Sequence, residues 1–351
     1  MASRRRMTIK EVAREAGVST QTVSRVLNDR PDVAPETYER VQQVIADTGY
    51  APNMLARSLT QGRSHFLGVV ASGVEYFGPT RVLTGIEQRA AEMGYSISLN
   101  LIHDPRNVDI DDVLNGLVGR QVDGIIWAIP AVGANRAWSH ERSPSRPVPV
   151  TLVGSMADET PLASIRIDNR AIGRLATGHL LAGGARRIAI VTGPLAWWEA
   201  QERLAGWEET LDAHGVAEAD RMVIHGDWGA TSGERAIERL VEVFPGVDAV
   251  FASNDQMALG ILHGAHRMGL RVPEDLSVVG VDDIPEATHV WPSLTTVHQP
   301  LHDSGARAVE EIDRAIGQHG RRRAPDDYVP GVTLLQPRLV VRCSSRPAEG
   351  A

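Results

Sequence analysis

Apolar positions recur with a helical period over the first fifty residues and as continuous runs further on. Ile9, Val12, Ala13 and Ala16 fall at i, i+3, i+4 and i+7, one face of a helix. Thr8 and Glu11 have the T-x-x-E spacing of a capping box ahead of it. Gly17 stands where a left-handed residue ends a helix. Ser19 suits the N-cap of a second helix. Val23, Val26 and Leu27 form its buried face, leaving Thr20, Gln21, Ser24 and Arg25 outward. Pro35 belongs in the first turn of a third helix, where Tyr38, Val41, Val44, Ile45 and Thr48 follow at helical spacing up to Gly49. Two short helices joined by a tight turn and backed by a third predict a helix-turn-helix. Its second helix fits the major groove, where the outer residues can reach base edges.

After Arg63 the pattern changes to runs rich in Val and Ile: FLGVVAS, YSISLNLI, DGIIWAI, PVTLVG, RIAIVTG, AVFASN and LSVVGV. Near-continuous apolar runs suit strands buried on both faces of a parallel sheet. Helical segments separate several of them. Residues 81–93 place Val82, Ile86, Ala90 and Met93 on one face, and residues 256–268 do the same with Met257, Ile261, Ala265 and Met268. Strand–helix alternation predicts a doubly wound α/β fold with ligands at the carboxyl ends of the strands.

Charge sharpens this division. The net charge of −8 argues against a nucleic-acid binder, yet residues 1–64 hold ten basic and seven acidic residues. That is a net of about +3, which leaves about −11 on the rest. A basic head on an acidic body suits a DNA-binding unit joined to something else. Arg4, Arg5 and Arg6 form a basic arm able to reach phosphates. Cys343 is the single cysteine, so no disulfide within the chain is possible, which fits a reducing compartment. No signal-like leader and no run long enough to span a bilayer is present, so a cytoplasmic protein with no membrane partner is expected. Lys10 is the only lysine, which excludes a P-loop. Neither a dinucleotide fingerprint, a nucleophile elbow nor a zinc-protease motif occurs. The run DIDD at 109–112 reads as a helix start favoured by the dipole, without EF-hand spacing. No enzyme and no cofactor is expected.

The segments TIKEVAREAGVSTQTVSRVLN, TGYAPNMLARSL, IVTGPLAWWEAQERLAGW, GDWGATSG, FASNDQMALGIL, DLSVVGVDD and PSLTTVHQP, in this order, resemble the lac repressor–galactose repressor family of bacterial transcription regulators over nearly the whole chain. The resemblance implies an all-α helix-turn-helix head at 1–50 and a hinge helix and linker at 51–64. It implies an effector-binding core at 65–343 like periplasmic sugar-binding proteins, built from two doubly wound parallel-sheet subdomains. The chain would cross between them near Asp168, Thr296 and Tyr328. One subdomain would then hold about 65–168 and 297–328, the other about 169–296 and 329–343, with a disordered tail at 344–351. PNMLARSL is too short for a stable free helix and reads as one that forms on DNA. Leu59 matches the family's leucine wedge in the minor groove, a contact that kinks DNA.

The implied function is a ligand-responsive repressor that binds a pseudo-palindromic operator as a homodimer and is released by a sugar, a disaccharide or glycoside. The alternatives are a cytoplasmic sugar-binding protein and a corepressor-dependent regulator of the same family. The DNA-contacting set is Thr8, Ser19, Thr20, Gln21, Thr22, Ser24, Arg25 and Asn28 in the head, with Asn53, Ala56 and Leu59 in the hinge. Arg25 suits a bidentate pair with guanine and Gln21 one with adenine. The tail RCSSRPAEGA lacks apolar heptads, so a dimer rather than a coiled-coil tetramer is expected.

A sugar needs bidentate polar partners for its hydroxyls and an aromatic face for its C–H side. Asn254, Asp282, Trp228, Trp127 and Phe77 lie at or just past strand ends, and Arg203 and Glu199 share a helix face after IVTGPL. Asp255 and Asp283 sit beside Asn254 and Asp282, and Asp283 reads better as part of a turn. By resemblance, Arg203, Asn254, Asp282, Trp228 and Gln299 fall on effector-contacting positions, with Arg203 as a donor fork. Trp127 and Trp197 suit either a core or a cleft. Together with Ser155 they replace small or polar residues of the family's lactose-binding pattern, which argues against lactose itself.

Overall fold

The computed structural model describes residues 7–27, 30, 32–50, 63–132, 147–154, 160–318 and 329–347. It separates into two compact units, residues 1–64 and 65–351.

In the first unit, α1 (Ile9–Glu15), α2 (Thr20–Leu27) and α3 (Pro35–Thr48) close over Val12, Ala13, Ala16, Val23, Val26 and Val41. The capping box forms as its spacing predicts. Glu11 Oε2 accepts from the Thr8 amide at 2.8 Å, and Thr8 Oγ1 accepts from the Glu11 amide at 3.4 Å. Ser19 Oγ accepts from the Thr22 amide at 3.1 Å. Gly17 and Gly49 both take positive φ, as helix-ending glycines do. Arg40 Nε donates to the Ala16 carbonyl at 2.9 Å, tying α3 to the end of α1. Asn28, Asn53, Ala56 and Leu59, the basic arm and most of the expected hinge lie outside the described residues.

The second unit contains two six-stranded sheets. One has the order β11-β5-β4-β3-β1-β2, from β1 (Phe66–Ala71), β2 (Ser96–Leu101), β3 (Gly124–Ala128), β4 (Val150–Val153), β5 (Ala163–Ile167) and β11 (Val332–Leu335). The other has the order β12-β10-β9-β8-β6-β7, from β6 (Ile188–Thr192), β7 (Arg221–His225), β8 (Ala249–Ala252), β9 (Ser277–Asp282), β10 (Thr295–His298) and β12 (Arg338–Val340). Among the described residues every pairing is parallel except β10 with β12. Strand order reverses beside β1 in the first sheet and beside β6 in the second, the switch points where such sheets bind ligands.

Seven α-helices among the described residues cover the sheets. In the first lobe these are α4 (Phe77–Glu92), α5 (Ile110–Gly119) and α10 (Leu301–Gln318). In the second they are α6 (Asn169–Ala182), α7 (Trp198–Ala213), α8 (Ala230–Val243) and α9 (Asp255–Arg267). Asp109 caps α5 by accepting from the Asp112 amide at 3.0 Å, as the acidic run predicts. Three helix pairs bring their backbones together at reciprocal glycines. A Cβ on Gly85 of α4 would lie 2.0 Å from the His302 carbonyl oxygen of α10, and one on Gly305 lies 2.1 Å from that of Val82. Gly173 and Gly206 do the same for α6 and α7, at 2.3 and 2.1 Å from the Arg203 and Arg170 carbonyl oxygens. Gly233 and Gly260 do so for α8 and α9, at 2.0 and 1.8 Å from those of Met257 and Ala230.

Two details of the expected organisation change. β11 pairs with β5 and β12 pairs with β10, so the last crossing runs through Gln336 and Pro337 rather than near Tyr328. The strand Val332–Leu335 therefore belongs to the first lobe, because its edge pairing to Ser164–Ile167 decides membership. A disordered tail from 344 is also wrong at its start: Ser344 and Ser345 are buried. Ser344 Oγ donates to the Val278 carbonyl at 2.6 Å and accepts from the Thr295 amide at 2.8 Å. Ser345 Oγ donates to Thr295 Oγ1 and pairs with His179 Nε2, both at 2.8 Å. The tail composition is polar, and the polarity serves a buried strap across the starts of β9 and β10. Ser344→Ala leaves a buried carbonyl and amide unpaired and should cost about 1–3 kcal/mol in denaturant unfolding of the core.

Candidate functional site

A cleft opens at the carboxyl ends of both sheets, and each loop that lines it follows a strand. Ser72 follows β1, Ile129 follows β3, Gly154 follows β4 and Asn169 begins α6 after β5. From the other lobe come Trp197, Glu199 and Arg203 after β6, Trp228 after β7, Asn254 after β8, Asp282 at the end of β9 and Gln299 after β10. Phe77 and Leu301, the first residues of α4 and α10, add apolar surface.

Arg203 is the centre of the polar network and is 5% exposed. Its Nε donates to Asn169 Oδ1 at 2.9 Å and its Nη2 to Gln299 Oε1 at 3.1 Å. Its Nη1 donates to the Ser253 carbonyl. Gln299 in turn donates through Nε2 to Asp282 Oδ1 at 2.6 Å. Asn254 caps α9 by accepting from the Met257 amide at 2.9 Å, while its Nδ2 donates to the Trp228 carbonyl at 2.9 Å. Asp255 lies behind, fully buried, accepting from Thr296 Oγ1 at 2.6 Å and the Ile284 amide at 2.9 Å.

Burial sets the electrostatics of this cluster. It pushes the Asp282 carboxyl up to about 6, against the pull of Arg203 and the Gln299 hydrogen bond. It raises Asp255 well above the usual carboxylate range, and the neighbouring Asp282 charge adds to the shift. It raises Glu199 as well. Arg203 is pulled down by burial, while Asp282, Glu199 and Asp255 hold its charge in place.

Aromatic side chains form one wall. Tyr76 meets Trp197 edge-on at 6.2 Å, and Trp197 meets Trp228 at 6.0 Å. The Arg203 guanidinium lies 5.7 Å from the Trp228 ring centre, within cation–π range. Trp228 holds a positive φ of 74°. A Cβ on Gly193 would sit 2.2 Å from its ring, so only glycine leaves room for the indole there.

Of the effector residues expected from the sequence, Phe77, Trp197, Glu199, Arg203, Trp228, Asn254, Asp282 and Gln299 come together in the cleft. Trp127 does not. It packs in the first lobe's core with Val70, Leu117, Ile125 and Leu152, on the α5 face of the sheet. The strand's period of two puts Trp127 on the side of Ile125, away from Ile126 and α4. Asp283 turns away too, pairing with Arg342 and with His298 Nδ1 at 3.2 Å. Sequence reasoning missed Asn169 and Tyr76, and it passed over Asp255 in favour of Asn254. The one available signal for Asn169 was its place beside a crossing.

In the head, Thr20, Gln21, Ser24 and Arg25 are exposed on α2 and Thr22 is half-buried. Thr8 and Ser19 hold capping positions. Arg25 lies 3.7 Å from Asp32, a loose exposed pair that DNA could displace at little cost. Among the described residues no cluster of His, Cys, Asp or Glu is placed to hold a metal, and no helix is long and apolar enough to cross a membrane.

A carboxyl whose pKa is raised on folding favours the fold most below its ordinary value of 3.8, and that contribution is lost as pH rises through about 6. Asp282→Asn should therefore shallow the loss of core stability between about pH 4 and 6. At pH 7 its melting temperature should equal or exceed that of the parent, in thermal melts across the range. Gly193→Ala should displace Trp228 and weaken small-molecule binding in the cleft by about tenfold or more while the head's DNA affinity is unchanged, measured by titration calorimetry and gel shift.

Two family descriptions match the chain: "Bacterial regulatory proteins, lacI family" over residues 8–53 and "Periplasmic binding protein-like domain" over residues 177–345. Catabolite control protein A of Priestia megaterium is 36% identical over 315 residues, covering 89% of this chain and 93% of that protein. The lac repressor dimer bound to operator and the anti-inducer ONPF superposes with a TM-score of 0.84 at 30% identity, covering 97% of this chain and 99% of the other. The complex of the transcriptional regulator CelR with cellobiose has a TM-score of 0.67 at 30% identity, covering 97% and 100%. Sequence and fold thus agree along the chain's length with proteins of one kind, and the chain belongs to the lacI family of bacterial regulatory proteins.

Proposed function

We propose that the protein is an effector-controlled repressor that binds a pseudo-palindromic operator as a homodimer and is released by a saccharide, a disaccharide or glycoside. The observation that carries the reading is the cleft. It offers Arg203, Asn254, Asp282 and Gln299 as polar partners beside the Trp197 and Trp228 rings, the combination that holds hydroxyls and a C–H face together. Relatives support it: a lac repressor dimer is seen on operator, and CelR is seen with cellobiose.

Thr20, Gln21 and Arg25 read base edges in this proposal. The hinge residues Asn53, Ala56 and Leu59 engage the minor groove, as the family resemblance implies. Both lobes contribute to the cleft, so a ligand that fits one lobe arrangement better than the other shifts the equilibrium between them. Its differential affinity is the free energy available to loosen the operator complex.

Gel shifts with operator DNA test the proposal. The parent chain should retard its operator at moderate salt and lose it on addition of the effector. Arg25→Ala should cost ~1–3 kcal/mol of specific binding while leaving the thermal shift caused by effector unchanged. Equal loss of both activities, or retardation that no saccharide alters, contradicts the assignment. Sedimentation should show a dimer.

A further inference from the structure

Ionised groups are unevenly divided in the cleft. Among the described residues that line it, Arg203 is the only cation, against Glu199 and Asp282, with Asp255 buried behind. Each guanidinium nitrogen of Arg203 already donates to the protein, to Asn169, Ser253 and Gln299. An incoming anion would find two remaining N–H groups on Arg203 and, among the described lining residues, no second cation.

Glu199 is only partly satisfied, its carboxyl taking a backbone hydrogen bond within its own residue. It lies in the first turn of α7, and its Oε2 is buried without a hydrogen-bond partner. An ionised carboxylate can only accept, so the partner it lacks is a donor. Other cleft-lining residues with a polar atom in the same state are Trp228, through Nε1, a donor, and Ser72 of the other lobe, through Oγ. Buried unpartnered groups are costly in a folded protein and call for a partner, and these three belong to residues that line one cleft. Glu199 also sits at the junction of the lobes: a Cβ on Gly154, after β4, would lie 3.3 Å from its Oε1. A group bound to Oε2 is therefore placed between them.

We infer that Glu199 makes this cleft select ligands by donor groups: it receives hydroxyl or ammonium hydrogens of a neutral or amino saccharide and rejects uronic, aldonic and phosphorylated sugars. This deepens the saccharide reading and rests on it. Burial, which raises the Glu199 carboxyl, is the cost of holding that acceptor empty. An anionic sugar would bring a second negative charge against it in a poorly solvated site, where like charges repel strongly.

The test uses the full chain and matched probes: glucose, glucosamine, glucuronate and glucose 6-phosphate, then cellobiose and cellobionate. Thermal shift finds the responding members and calorimetry measures them. Responses confined to neutral or amino members support the inference, as does a loss of about tenfold or more in affinity for the responding member on Glu199→Gln. That substitution preserves shape, and the unliganded variant should melt at or above the parent. A preference for glucosamine over glucose assigns an ammonium as the donor; parity or the reverse assigns hydroxyls. An anionic probe that binds as well as its neutral counterpart overturns the inference and leaves the saccharide reading standing, as does unchanged affinity in Glu199→Gln. Silence from every probe overturns both.

Discussion

Backbone-to-backbone contact between paired helices is the constraint on which the cleft depends. Gly85 with Gly305, Gly173 with Gly206, and Gly233 with Gly260 let α4 meet α10, α6 meet α7 and α8 meet α9 closer than any side chain permits. The pairs direct helix N-termini at the cleft: Phe77 and Leu301 from the first, Asn169 and the first turns of α7 from the second, Asn254 from the third. The contact at Gly173 falls on the Arg203 carbonyl itself. A methyl group there cannot be absorbed by rotation of a flexible side chain, because the atom it meets is backbone. Positions of cleft residues are thus set by helix packing several residues away, and close packing transmits such shifts with little loss.

Against this rigid frame the cleft holds a group of charges that weakens it. Asp282, Asp255 and Glu199 are all carboxyls raised by burial, and Arg203 is depressed by it. A well-packed apolar filling of the same volume would stabilise the lobes more. The arrangement is understandable as one that offers a hydroxyl-rich ligand ready-made acceptors and donors, with the desolvation cost met during folding instead of during binding.

The head was legible almost residue by residue, because caps, glycine stops and an apolar face are local features. Thr8, Gly17, Ser19, Pro35 and Gly49 each do in three dimensions what their chemistry implies. The parallel sheets were legible as apolar runs, although β5, β10, β11 and β12 were too short or too mixed to stand out. Eight of the effector residues were visible partly through strand ends and partly through resemblance. Trp127 was misplaced because being at a strand's end does not say which face a side chain takes; one position decides between core and cleft. The buried strap at Ser344 and Ser345 was misread because serines near a terminus look solvated until their partners, Val278 and Thr295, are known. The reciprocal glycines were invisible for a similar reason. Each is ordinary within its own helix and meaningful only beside its partner.

Arg203 joins the ligand site to the crossings between lobes. Its Nε holds Asn169, the first residue after the β5 crossing, and its Nη2 holds Gln299, on the crossing between β10 and α10. Gln299 passes the connection on to Asp282. One planar cation, on a helix whose backbone meets Gly173, therefore ties two of the three segments that cross between the lobes. Under the proposed function, a ligand hydroxyl that competed for any of these hydrogen bonds would alter the restraint on a crossing directly. The physical warrant for coupling is a two-state element that both sites bias; under the proposed function, Arg203 is the cleft residue through which a ligand would reach two of the crossings.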